Sequence, residues 1–220
     1  MKIDILTIFP DIFKNFLNES IEKRAILKKY VEINVVNFRD YTTDPHGKVD
    51  DTPYGGGAGM VLMAQPIVDC VNSLKKDDSL VILLTPSGKT YNQRLANNLK
   101  NYKHLIIICG HYEGFDDRIK SVVDMEISIG DYILTGGEIP AMAIVDSVIR
   151  LIPGVIRSES LESESFDDNL LDYPTYTKPR DFRGMKVPEV LLSGDHKKID
   201  EYRQSERLRI TEEKRKDLLN

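Results

Sequence analysis

Between Glu126 and Met142 the chain reads EISIGDYILTGGEIPAM, an apolar stretch broken at Gly130-Asp131 and again at Gly136-Gly137. Glycine inside a strand costs backbone entropy and packs nothing, so two breaks in one core segment mark turns, or backbone that something approaches closely. Two further stretches share this character: Thr85-Pro86-Ser87-Gly88 and Gly110-His111-Tyr112-Glu113-Gly114. Each combines Gly or Pro with main chain that can offer N–H and C=O groups, and Ile129, Ile133, Leu134 and Pro140 add apolar surface. Such a wall suits a flat heterocycle held by main-chain hydrogen bonds better than a phosphate, which would require Lys or Arg. A plain tight turn explains one such loop. Three of them after strands point to a ligand cradle.

Other chemistries fail on spacing. Ser87-Gly88-Lys89-Thr90 ends like a phosphate-binding loop, but the first glycine of that motif would fall at Leu83. Gly55-Gly56-Gly57-Ala58-Gly59 lacks dinucleotide spacing, because the next required glycine falls at Met60, and it follows the loop Asp40–Pro53 rather than a strand. It reads as a flexible loop or as a surface for substrate backbone. His46, His104, His111 and His196 show no metal-ligand spacing and read as structural or surface residues, so no metal ligand is assigned. No Ser or Cys stands in a nucleophile elbow. Cys70 and Cys109 are isolated, as expected of buried thiols in a reducing compartment.

The cradle needs elements to hold it. Ile3–Phe9, Val31–Phe38, Ser79–Leu84 and His104–Cys109 are short runs rich in Ile, Val and Leu, the pattern of strands buried on both faces. Asp11–Tyr30, Pro66–Leu74, Tyr91–Asn101 and Ile139–Leu151 carry helical patterns, with Pro140 in a first turn. Their alternation predicts an α/β fold with a largely parallel sheet, whose ligands sit at the carboxyl ends of the strands. After Ile152-Pro153-Gly154 the texture turns polar, and a boundary falls near residues 157–170. Residues 158–170 hold five acids and no base, while 171–220 hold 12 Lys and Arg against 10 Asp and Glu. With a net charge of −5 overall, local patches must do any phosphate work. No apolar run reaches the roughly 18 residues of a membrane span, and MKIDILTIFP reads as a first strand rather than a signal peptide. The expected location is the cytoplasm, with no membrane partner.

Six motifs in order carry a resemblance: VDDTPYGGGAGM, CGHYEGFDDR, SIGDYILTGGEIPAM, DSVIRLIPGV, LLDYPTYTKP and VPEVLLSGDH. Together they resemble the bacterial tRNA (guanine-N1)-methyltransferases of the knotted SPOUT class, over essentially the whole chain. The resemblance implies three parts. Residues 1–157 would form a parallel-sheet domain with a deep trefoil knot that binds S-adenosylmethionine. Residues 158–170 would form a linker carrying the base, and 171–220 a small helical tRNA-binding domain. Gly110 and Ile129-Gly130-Asp131-Tyr132-Ile133-Leu134 would hold adenine and ribose. Pro86, Tyr112, Glu113, Gly114, Gly136, Gly137 and Pro140 would complete the wall. Two subunits would pair so that each active site uses both, and the substrate would be the guanosine immediately 3′ of the tRNA anticodon.

Guanine N1 carries a proton and is a poor nucleophile until a base removes it; negative charge then grows on O6 and calls for a cation. The resemblance assigns the cation to Arg150. The family's Glu-Asp-Ser-Phe becomes Ser163-Glu164-Ser165-Phe166 here, so the base falls on Glu164, one methylene longer, with Asp172 as the alternative carboxylate. The family's Asn in its SGNH motif is Asp195. Asp50, Tyr54, Gly55, Gly56 and Gly57, with Asp172, Lys178, Arg180, His196 and Arg203, are the residues expected against RNA. Mg2+ takes part in the family's reaction, although no metal cluster is legible. Two other readings stay open at this point: a knotted methyltransferase acting on another RNA site such as a ribose 2′-OH, and a non-catalytic RNA-binding module.

Overall fold

A computed structural model describes residues 1–157, 165–166 and 168–219. The elements follow in chain order: β1 (Lys2–Thr7), α1 (Phe13–Leu17), α2 (Ser20–Leu27), β2 (Glu32–Asn37), β3 (Asp50–Asp51) and β4 (Val61–Leu62). After them come α3 (Ala64–Leu74), β5 (Ser79–Thr90), α4 (Gln93–Leu99), β6 (His104–Ile108), β7 (Met125–Ser128) and α5 (Glu138–Ile149). The chain divides into two compact units, Met1–Arg157 and Ser158–Asn220.

In the first unit a five-stranded sheet runs in the order β2-β1-β6-β5-β7, every pairing parallel. Ile5 stands beside Ile107, and Ile107 beside Ile82. Successive side chains of a strand point to opposite faces, and both faces are filled here. Ile3, Ile5, Leu105, Ile107 and Ile82 pack with Phe13, Ala25, Leu99, Ile144 and Val148 from α1, α2, α4 and α5. Leu6, Ile106, Ile108, Val81 and Leu83 pack with Phe38, Ile67, Cys70 and Val71 on the other face. That double burial is why these strands read as unbroken apolar runs.

Asp4 is the exception in the β1 run, with no exposed surface. Its carboxylate accepts from Lys2 Nζ, Asn34 Nδ2 and His104 Nε2, each at 2.8 Å, and His104 Nδ1 meets Ser79 Oγ at 2.7 Å. Burial pushes the Asp4 carboxyl up, but the hydrogen bonds from Lys2, Asn34 and His104 outweigh it, and its pKa lies below the usual carboxylate value. The network ties β1, β2, β5 and β6 together at their amino ends.

Three boundaries differ from the sequence reading. The helix expected over 11–30 is two short helices, because the chain turns at Asn18-Glu19 and Ser20 takes a positive φ of 48°. Strand β5 continues to Thr90: Leu84 and Lys89 both stand opposite Ile127, so Thr85–Gly88 is a bulge within the strand. The strand β7, which precedes the quoted glycine loop, is only four residues long.

The second unit holds a two-stranded hairpin, β8 (Asp181–Phe182) with β9 (Met185–Lys186), then α6 (Glu189–Leu192) and α7 (His196–Lys214). Asp195 caps α7, its carboxylate accepting the Lys198 N–H at 3.3 Å. On α7, Arg207 is only 3% exposed; it donates to both Asp168 oxygens, at 2.9 and 2.6 Å, and to the Leu171 carbonyl at 3.3 Å. Leu171 N–H donates to Thr211 Oγ1 at 2.8 Å, so residues 168–171 are strapped to this helix. Among the described residues no helix is long and apolar enough to cross a membrane.

Candidate functional site

The three glycine segments meet where the bulge of β5 lies beside the carboxyl ends of β6 and β7. Beyond β6, the loop is sewn to the segment around β4 by main-chain bonds: Glu113 N–H to Met60 O at 2.9 Å, Leu62 N–H to Gly114 O at 2.9 Å, and Asp116 N–H to Leu62 O at 2.8 Å. Beyond β7, Ser128 Oγ donates to Gly130 O at 3.1 Å and Tyr132 N–H donates to the same carbonyl at 3.0 Å, which folds the turn back on itself. The two loops then join. Gly136 bridges His111 in antiparallel fashion, and Gly137 N–H donates to Gly110 O at 2.8 Å as α5 begins.

The approach at Gly137 leaves no room for a side chain. A Cβ there would sit 2.7 Å from both Cys109 Cα and Gly110 N. A Cβ on Gly136 would sit 2.8 Å from His111 Nδ1 and collide with Glu138 Oε2. Glycine is therefore required at Gly137 by close packing of backbone against backbone, and at Gly136 by the side chains of His111 and Glu138.

Around these contacts lies a cavity of about 300 Å³. Pro86, Gly110, Tyr112, Glu113 and Gly114 line it from the loops after the core of β5 and after β6. Ile129, Gly130, Tyr132, Ile133, Leu134, Gly136, Gly137 and Pro140 line it from the third loop and the start of α5. Asp131 is exposed and is not among the lining residues, because the turn at Gly130 carries it outward. Thr85, His111, Ser128 and Thr135 stand in the segments singled out from sequence without having been assigned one by one, and Phe115 follows directly on Gly114. Within the lining, His111 is the one side chain able to carry a positive charge and Glu113 the one carboxylate. A composition this poor in charge could have singled out His111, which sits between Gly110 and Tyr112 in the quoted motif.

His111 is held by edge contacts with the rings of Phe9, at 4.8 Å, and Tyr112, at 4.9 Å, while its Nδ1 is enclosed and has no hydrogen-bond partner. Behind the Gly136 bridge, Glu138 is buried and accepts from Thr7 Oγ1 at 2.7 Å. Thr7 in turn receives the Phe9 N–H at 2.9 Å. Burial, and next the Glu138 charge, push the Cys109 thiol well above its ordinary value, so it is no nucleophile. Burial likewise pushes the Cys70 thiol up to about 12.

Other expected residues lie elsewhere. Arg150 is the C-cap residue of α5, its N–H donating to Asp146 O at 3.1 Å. Glu164 lies outside the described residues. Asp50 sits in β3, Tyr54 is fully exposed, and Gly55, Gly56 and Gly57 form an exposed turn; none of them lines the cavity. In the second unit, Asp172 is exposed and its Oδ1 accepts the Tyr173 N–H at 2.7 Å; His196 is the exposed first residue of α7. Lys178, Arg180 and Arg203 line a cavity of about 450 Å³ with Tyr173 and Tyr176, and none of the described residues lining it is an acid. Arg203 stacks on the Tyr173 ring at 4.9 Å, and its Nε is enclosed without a partner.

A parallel α/β sheet whose strand-end loops enclose a glycine-walled, mostly apolar cavity is the class of domain that binds a small flat ligand at its carboxyl edge. Comparison with known proteins narrows the class. The family described as tRNA (guanine-1)-methyltransferase TrmD matches residues 1–220. The tRNA (guanine-N(1)-)-methyltransferase of Malacoplasma penetrans is 65% identical over 218 residues, covering 99% of this chain and 96% of the relative. Those of Carboxydothermus hydrogenoformans and Clostridioides difficile are 57% and 54% identical, covering 87% and 97% of their own lengths and 100% and 99% of this chain. The chain belongs to the tRNA (guanine-1)-methyltransferase family, and it is an enzyme of that activity.

Proposed function

We propose that the protein uses S-adenosylmethionine to methylate N1 of the guanosine immediately 3′ of the anticodon, in the cytoplasm and as a homodimer with shared active sites. The cavity between the bulge of β5 and the carboxyl ends of β6 and β7 carries this reading. Its walls at Gly110, Gly136 and Gly137 are main chain with no room for a side chain, and Ile129, Ile133, Leu134 and Pro140 supply apolar surface. That donor set fits an adenosine better than a nucleotide phosphate, because no Lys or Arg is in the lining. When bound, the cofactor supplies a methyl group made electrophilic by its sulfonium. Among the described residues no group of three or more His, Cys, Asp or Glu is placed to hold a metal ion; a Mg2+ requirement is an expectation from the family alone.

The chain's own residues prepare the nucleophile. Glu164 takes the proton from guanine N1, leaving the lone pair there, and Arg150 meets the charge that grows on O6. A glutamate carboxylate can accept a proton as a general base, which is what this step requires. The first unit would carry the trefoil knot with the cofactor site and the second would grip RNA, with Lys178, Arg180 and Arg203 lining one cavity. Asp50, Tyr54 and the exposed glycine turn would face the RNA from the first unit.

One comparison tests the reading: methyl transfer to tRNA carrying G or A at the target position, with the product nucleoside identified. Transfer to G alone, as 1-methylguanosine, is expected, and Glu164→Gln should cut it about 10²–10⁴-fold with tRNA binding little changed. Glu164→Asp should keep substantial activity. A 2′-O-methyl product, or near-normal turnover by Glu164→Gln, would overturn the assignment.

A further inference from the structure

We propose that His111 is the side chain that receives the α-carboxylate of the cofactor's amino-acid tail, with Glu138 set behind it to orient the imidazole. This rests on the S-adenosylmethionine reading above. That ligand ends in a zwitterion, and both its ammonium and its carboxylate lose water on entering a cavity. A carboxylate taken out of water needs a charged or hydrogen-bonding partner, or binding is weakened by several kcal/mol. The lining holds no Lys or Arg, so the partner is His111, while Glu113 in the same loop suits the ammonium.

The surroundings of His111 support the role. Edge contacts with Phe9 and Tyr112 fix its ring, and the main-chain bridge to Gly136 fixes its backbone. Its enclosed Nδ1 borders the space left by the missing Gly136 side chain, and Glu138 Oε2 borders the same space. The other Glu138 oxygen is anchored by the Thr7 hydroxyl, so the carboxylate cannot swing away. No hydrogen bond joins Nδ1 to Glu138 in this structure. Both atoms face the one space left free at Gly136, so Glu138 is the acceptor available to an Nδ1–H, which would leave Nε2 to face the ligand. A side chain on Gly136 would block that contact, which gives the glycine a second reason to be there.

Calorimetry with three ligands tests the proposal without any turnover: S-adenosylhomocysteine, its decarboxylated analogue, and 5′-methylthioadenosine, which lacks the amino-acid tail altogether. His111→Gln should weaken S-adenosylhomocysteine about 10- to 100-fold, the loss of one charge-assisted hydrogen bond, and leave the other two within about twofold. Glu138→Gln keeps an acceptor for Thr7 and should narrow the same discrimination, with 5′-methylthioadenosine again unchanged. Equal weakening of all three ligands by His111→Gln would show a structural role and overturn the proposal, as would unchanged S-adenosylhomocysteine affinity. Failure of the unaltered protein to bind any of the three would instead remove the cofactor reading on which the proposal stands.

Discussion

Gly137→Ala adds one methyl group at the tightest backbone contact in the site. The new Cβ would lie 2.7 Å from Cys109 Cα and from Gly110 N. Carbon atoms rest at about 3.5 Å or more, so the start of α5 must retreat by about 0.8 Å. That retreat opens the Gly137 N–H to Gly110 O bond from 2.8 Å to about 3.6 Å, beyond hydrogen-bond range. Overpacking of this kind costs about 1–3 kcal/mol, and the lost bond about 1 kcal/mol more. Gly137 is the N-cap residue of α5, where alanine is no better than glycine, so helix propensity returns nothing. We therefore expect a net loss of about 2–4 kcal/mol in equilibrium urea unfolding, with S-adenosylmethionine affinity lowered at least tenfold by calorimetry. Gly56→Ala is the control: nothing lies within 4 Å of its Cβ, so only the strain of φ +81°, about 1 kcal/mol, should be felt, with cofactor affinity unchanged. A Gly137→Ala protein with the unfolding midpoint and affinity of the parent would refute the close-approach argument.

Two further perturbations probe the frame. Asp4 has a folded pKa below its unfolded value, so its contribution is fully present above about pH 4 and is lost as pH falls through the lower folded value. Asp4→Asn should cost about 2–3 kcal/mol at pH 7 through the bonds to Lys2 and His104, and should flatten the acid limb of stability against pH; an unaltered acid limb would rule the network out as its source. Asp168→Asn should leave the buried Arg207 guanidinium short of its counter-charge; because Asp168 is itself half exposed, the cost is about 1–3 kcal/mol rather than that of a fully buried pair. Hydrogen exchange at Leu171, whose N–H bonds Thr211, should quicken, and unchanged protection would mean the strap does not depend on this pair.

The central strands were legible because burial on both faces writes an unbroken apolar run, as at His104–Ile108. The same signal misled over 11–30: Phe13, Phe16, Leu17, Ile21 and Ala25 keep helical spacing across the turn at Asn18-Glu19, so periodicity alone joins two helices into one. Pro86 and Gly88 end a strand by local rules, yet β5 resumes at Lys89 because it finds Ile127 of β7 to pair with, a partner nearly 40 residues on. The glycine loops announced the cavity, but Glu138 did not announce itself; a carboxylate inside an apolar helix reads as solvent-facing until Thr7, 131 residues away, is seen to hold it. Asp168 likewise read as one charge in an acidic linker, whereas Arg207 pins it from 39 residues away. Tertiary partners of this kind leave no local pattern.

Main-chain walls also bear on drug resistance. A target usually escapes an inhibitor by substituting the side chain that grips it, but the peptide groups of Gly110, Gly136 and Gly137 have no side chain to give up. Substitution there can only add atoms, and at Gly136 and Gly137 the first added carbon strikes Cys109, Gly110, His111 or Glu138. An inhibitor anchored on those peptide groups would leave escape to the exposed positions Tyr132 and Ile133, whose side chains can change without disturbing the core. Compounds that make no use of those two residues should be the slowest to select resistant strains in serial passage.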